Sequence, residues 1–107
     1  MNAGANLPLS EQYRLAAKSW VVLESAANLL EETKSAVLSQ MMSKLGDIPV
    51  SHAERAVKSS DEWREFITKM VEARGEANMA KVKCEYIKMK FSEQQSSQAT
   101  RRAEMKL

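Results

Sequence analysis

Four glutamates, Glu24, Glu31, Glu72 and Glu76, are the residue type that a di-metal site inside a helical bundle requires. Such sites also use Glu-x-x-His pairs, and the only histidine, His52, lies between the periodic segments, far from the acids. Ion pairing with Lys34 and Arg74 accounts for the same glutamates with fewer demands. A serine, histidine and acid triad fails on the same histidine, because the serines around it read as helix caps and no glycine-rich nucleophile turn is present. The single cysteine, Cys84, falls between Ala80 and Ile87 at helical spacing and reads as a small buried hydrophobe, not a nucleophile. Alone, it forms no intrachain disulfide, and with one histidine there is no zinc-type cluster. The expectation is a protein that is not an enzyme and takes no metal or cofactor.

Charge points to a different chemistry. The net charge of +2 conceals an uneven distribution: residues 1 to 78 carry nine basic and eleven acidic side chains, whereas residues 79 to 107 carry seven and three. Lys81, Lys83, Lys88, Lys90, Arg101, Arg102 and Lys106 form a candidate nucleic-acid footprint, with Tyr86 as a stacking side chain. The alternative is a solvated helix whose lysines meet acids of another subunit. Side chains that only track phosphates cannot read bases, so binding to single-stranded or double-stranded DNA would be nonspecific and salt-sensitive. A helix-turn-helix reader over residues 51 to 63 is disfavoured, since its second helix would open with Asp61, Glu62 and Glu65, which repel phosphates.

Long helices must carry these residues. Trp63, Phe66, Met70, Ala73, Ala77, Ala80, Cys84, Ile87 and Phe91 recur at three- and four-residue steps, a seam long enough for a coiled-coil or helical-hairpin surface. Ala16, Trp20, Leu23, Ala27, Leu30, Lys34, Val37 and Met41 repeat the spacing earlier in the chain. Ser10 offers a cap for a first helix over residues 11 to 45, and Gly46 supplies its stop. Pro49 forces a turn. Ser51 with Glu54 can then open a short helix over residues 52 to 58, and Ser59 with Glu62, or Ser60, can open a long one over residues 61 to 105. Residues 96 to 107 fit either helix or disorder.

The fold class expected is therefore all-α: one domain, a long antiparallel helical hairpin resembling a coiled coil, with a short connecting helix. In an even hairpin, residues whose numbers sum to about 106 face one another. That register puts Asn28 near Asn78, Lys34 near Glu72 and Glu32 near Arg74, sets Leu23 and Leu30 against Ala77 and Ala80, and brings the start of the first helix level with about residue 95. Trp63 and Phe66 would plug the closed end against Leu45 and Val57.

A second stripe runs along the third helix. Gly75, Met79, Val82, Tyr86 and Met89 lie about 160° around the helix from the seam, and one partner helix cannot cover both faces. Val22, Ala26, Leu29 and Ala36 add apolar surface beside the first helix's seam. A homo-oligomer, or a complex with a host protein, follows from the rarity of large exposed apolar stripes. Residues 1 to 10 lack the pattern of a secretory signal and no stretch is apolar enough to span a membrane, so a cytoplasmic protein without membrane contact is expected.

The segment Ala73-Arg74-Gly75-Glu76-Ala77-Asn78 and the run from Glu85-Tyr86-Ile87-Lys88-Met89-Lys90 through Arg101-Arg102-Ala103-Glu104 resemble small helical proteins encoded by tailed bacteriophages, sometimes near DNA recombination or replication functions. The resemblance covers residues 60 to 107 and carries no catalytic motif. It implies a phage accessory factor acting in the host cytoplasm on DNA or on a host protein. Three functions are compatible with these observations: a noncatalytic accessory of DNA metabolism and recombination, an inhibitor or adaptor that binds a host nuclease or defence protein, and a structural assembly or scaffolding factor.

Overall fold

The computed structural model describes residues 6 to 106, which form three helices: α1 (Leu9–Ser43), α2 (Val50–Lys58) and α3 (Asp61–Met105). α1 and α3 pack along one another as a hairpin, with α2 in the bend. The molecule measures 83 × 28 × 17 Å, and its radius of gyration of 23.1 Å far exceeds the roughly 13 Å of a compact chain of this length.

The helix starts differ from the expected caps, and proline is the reason. α1 opens on Pro8, not Ser10: the Pro8 carbonyl accepts the Glu11 and Gln12 N–H groups at 3.0 Å each, while Ser10 lies within the first turn. α2 likewise opens on Pro49, whose carbonyl accepts from His52 and Ala53 at 3.0 Å each. The Ser51 and Glu54 capping box does not form, and Glu54 instead pairs with Lys58 at 2.7 Å. At both sites proline holds extended backbone just before the helix, so the helix starts at the next residue. Only α3 has a side-chain cap. Ser60 Oγ accepts the Trp63 N–H at 3.2 Å, while Ser59 Oγ donates to the Arg55 carbonyl at 3.0 Å. α1 ends at Ser43, two residues short of the expected limit, and the chain then turns through Gly46, whose φ of +86° favours glycine.

The seam residues are buried or half-buried with two exceptions. Ala27 and Ala77 have no exposed surface, so both helices present a small residue in mid-seam, which admits close approach of the axes. Toward the open end, Ala16, Cys84 and Ile87 form a buried cluster against which Leu9, Tyr13, Ala17 and Trp20 pack. At the closed end Val57 and Trp63 are buried and Trp63 stacks on Phe66 with ring centroids 5.6 Å apart, but Leu45 is exposed and does not complete the expected plug. Phe91 is 49% exposed because α1 begins at Leu9, level with it, so the seam runs out there. Lys34 is also exposed, and the half-buried position on that turn belongs to Thr33, whose hydroxyl donates to the Leu29 carbonyl at 2.8 Å.

The register differs from the even hairpin by about one helical turn. Arg74 reaches Asn28, Glu24 and Glu31, not Glu32, and Lys34 and Glu72 form no ion pair among the described residues. α2, nine residues long, packs on both long helices in the bend. α3 is the longer of the two and outruns α1: every described residue after Phe91 is exposed, yet the helix continues unbroken to Met105.

Candidate nucleic-acid and partner interfaces

The expected functional residues are distributed over three surfaces of the hairpin. On one face stands an arginine network. Arg74 Nε and Nη2 donate to the two Glu31 carboxylate oxygens at 2.7 and 2.8 Å, Nη1 donates to Glu24 at 2.8 Å, and Nη2 also donates to Asn28 Oδ1 at 2.7 Å. Hydrogen bonds from the guanidinium hold the Glu31 carboxyl below its usual range, and the two carboxylates push the arginine's own ionisation upward in return. This geometry joins the two helices by a bidentate clamp. It also means that the four glutamates do not converge: Glu24 and Glu31 are held by Arg74, whereas Glu72 and Glu76 are exposed and Glu76 lines a groove with Met79 and Lys83. No group of three or more His, Cys, Asp or Glu side chains gathers among the described residues. His52 is exposed at the start of α2, and Cys84 is buried in the seam.

The basic residues occupy α3. Lys81, Lys83, Lys88, Arg101, Arg102 and Lys106 are exposed and Lys90 is half-buried. All ion pairs among the described residues fall between Glu11 and Arg74, so none of these seven cations has an acidic partner. They do not form one footprint. Lys81 and Lys88 stand on one edge of the seam and Lys83 and Lys90 on the other, so a single phosphate backbone cannot meet both rows at once. Aromatic rings hold two of them: Lys88 Nζ lies 5.5 Å from the Tyr13 ring centroid, and Lys90 Nζ lies 5.6 Å from that of Tyr86. The Tyr13 contact was not anticipated from the sequence, because it depends on the register, which sets Tyr13 level with Lys88.

The apolar surfaces are continuous with the basic ones. Met79, Val82, Tyr86 and Met89 of the outer stripe are exposed by 68, 53, 58 and 61%, and Val71, at 61%, extends the stripe toward the closed end. On the face opposite the arginine network, Leu23 and Ser19 from α1 and Gly75, Met79, Ala80 and Lys83 from α3 line an open groove. Leu15, Val22 and Leu29 of α1 are exposed as well. At the open end, a cleft of about 430 Å³ is lined by Leu9, Tyr13, Ile87 and Phe91, with Lys88 at its rim. No described helix is long and apolar enough to cross a membrane. No protein-family model, curated protein or solved structure matches the chain.

Proposed function

We propose that this chain is a noncatalytic accessory protein that works through its surfaces and contacts nucleic-acid phosphates through the C-terminal half of α3. The observation that carries this reading is the separation of charge: every ion pair lies before residue 79, and the seven cations beyond it are unpaired among the described residues. Long lysine and arginine side chains on an unpartnered helix can approach a phosphate backbone without rearranging the fold. With its cations in two separated rows and no base-reading motif in the sequence, the contact tracks the backbone and does not discriminate bases. The α3 segments that resemble tailed-phage proteins support a setting in DNA recombination or replication within a host cytoplasm.

Replacing Lys81, Lys88, Arg101, Arg102 and Lys106 together by glutamine is the test. Fluorescence anisotropy with a labelled single-stranded oligonucleotide should show wild-type binding that weakens roughly a hundredfold between about 50 and about 200 mM salt if all five cations engage phosphates. The glutamine variant should lose most of the low-salt affinity and nearly all of the salt dependence. Undiminished binding by the variant would remove the assignment. A second reading, an adaptor or inhibitor of a host nuclease or defence protein, or a scaffolding factor, draws on the exposed Met79, Val82 and Met89. Under it, activity survives the loss of the five charges and fails when Val82 and Met89 are made polar.

A further inference from the structure

The outer stripe of α3 contains a glycine that its own chain does not require. A Cβ built on Gly75 would meet no atom within 4 Å, and glycine is the poorest helix former after proline. Its helical backbone has no positive φ to explain it, the only such glycine among the described residues being Gly46. A close neighbour outside the chain would explain it.

The stripe is complementary to itself about a point between residues 80 and 81. Laid against a second copy running the opposite way, Gly75 faces the partner's Tyr86, Met79 faces the partner's Val82, and Val71 comes within one residue of the level of the partner's Met89. The smallest residue of the stripe thus receives the largest. A parallel pair would instead set Gly75 against Gly75 and Tyr86 against Tyr86, leaving a void and a collision.

The charges obey the same symmetry. Glu72 and Glu76 precede the centre, Lys83 and Lys90 follow it, and all four lie along one edge of the stripe with no ion pair among the described residues. Antiparallel helices bring like edges together, so Glu76 meets the partner's Lys83 and Glu72 meets the partner's Lys90, each twice by symmetry. Lys69 is the one cation on the acidic half of this edge, and it lies further round, toward the α1 seam.

Surface area leaves room for such a contact. The chain exposes 8442 Å², against about 6,000 Å² for a compact monomer of its mass, and a standard interface needs only about 800 Å² from each partner. We infer that a second copy of this chain occupies the outer stripe of α3, in an antiparallel two-fold pair centred between residues 80 and 81. The pairing does not depend on the phosphate reading. It assigns Lys83 and Lys90 to the contact between copies and leaves Lys81, Lys88 and the C-terminal overhang free.

Sedimentation equilibrium on the full chain tests the pairing. The wild type should reach twice the 12.0 kDa chain mass and no more. Lys83→Glu, which turns both symmetric ion pairs into repulsions, should weaken association by at least about tenfold with helix content unchanged in circular dichroism. The double variant Glu76→Lys with Lys83→Glu restores opposite charges at the same two places and should recover wild-type association. A wild type that stays at the single-chain mass, or that runs on to larger assemblies, overturns the inference. So does a Lys83→Glu chain that associates normally, or a charge swap that fails to repair the loss.

Discussion

Arg74 is the residue on which the two long helices agree. It takes two carboxylates and an amide from α1 with one guanidinium, something that a lysine's point charge cannot reproduce. The sequence placed an acid opposite this arginine but named Glu32, because its register came from an even fold and the true one is slipped by a turn. The consequence is a pH dependence of defined sign. Glu31 has its carboxyl ionisation lowered in the folded chain by hydrogen bonds from Arg74, so its contribution to stability is complete above the unfolded carboxylate range, near 4.5, and is lost as pH falls through the lower folded value. Thermal unfolding followed from pH 7 down to about 3 should show a decline in wild-type Tm that Arg74→Met reduces, with the two curves converging at the acid end. Curves that stay parallel throughout would mean that the clamp contributes nothing through ionisation. At this same scale, the roles of the lysines were only half legible. Their excess over acids can be counted from the sequence, but that Lys88 covers Tyr13 depends on which turn of α1 it meets.

At the scale of elements, the periodicity of apolar residues was enough to find both long helices, since a three- and four-residue repeat admits no other regular structure. The starts of α1 and α2 were each placed two residues late because serine caps and proline-led starts compete in the sequence, and at Pro8 and Pro49 the proline carbonyl takes the role, whereas α3 starts at Asp61 as expected. The seam's middle rests on alanine, which makes a sharp prediction. Ala77→Leu, at a position with no exposed surface, forces the helices apart and should destabilise by about 1 to 3 kcal/mol, read as a lower urea midpoint. The same change at exposed Ala56 should leave the midpoint within about 0.5 kcal/mol of wild type. Equal effects at the two positions would contradict a seam closed on small side chains.

At the scale of the whole molecule, two properties follow from one asymmetry. α3 is ten residues longer than α1 and continues past it as an exposed helix, and it holds both the unpaired cations, from Lys81 onward, and the outer stripe, from Val71 to Met89. Length and periodicity made the hairpin legible, and the charge count made the basic half legible. Neither gave the stagger, which depends on how the three helices pack, whereas the separation of Lys81 and Lys88 from Lys83 and Lys90 on two edges of the seam follows from helical spacing alone. An elongated rod with an apolar stripe and a basic half can act without an enclosed site, by bringing a surface to a polyanion.

The most direct test of that claim is light scattering on the full chain with and without a short single-stranded DNA, at low and at physiological salt. A particle of defined mass should gain the mass of the oligonucleotide at low salt and release it as salt rises. A particle whose mass is unchanged by DNA at low salt would contradict the phosphate-binding role and leave protein contacts through the apolar stripe as the function to pursue.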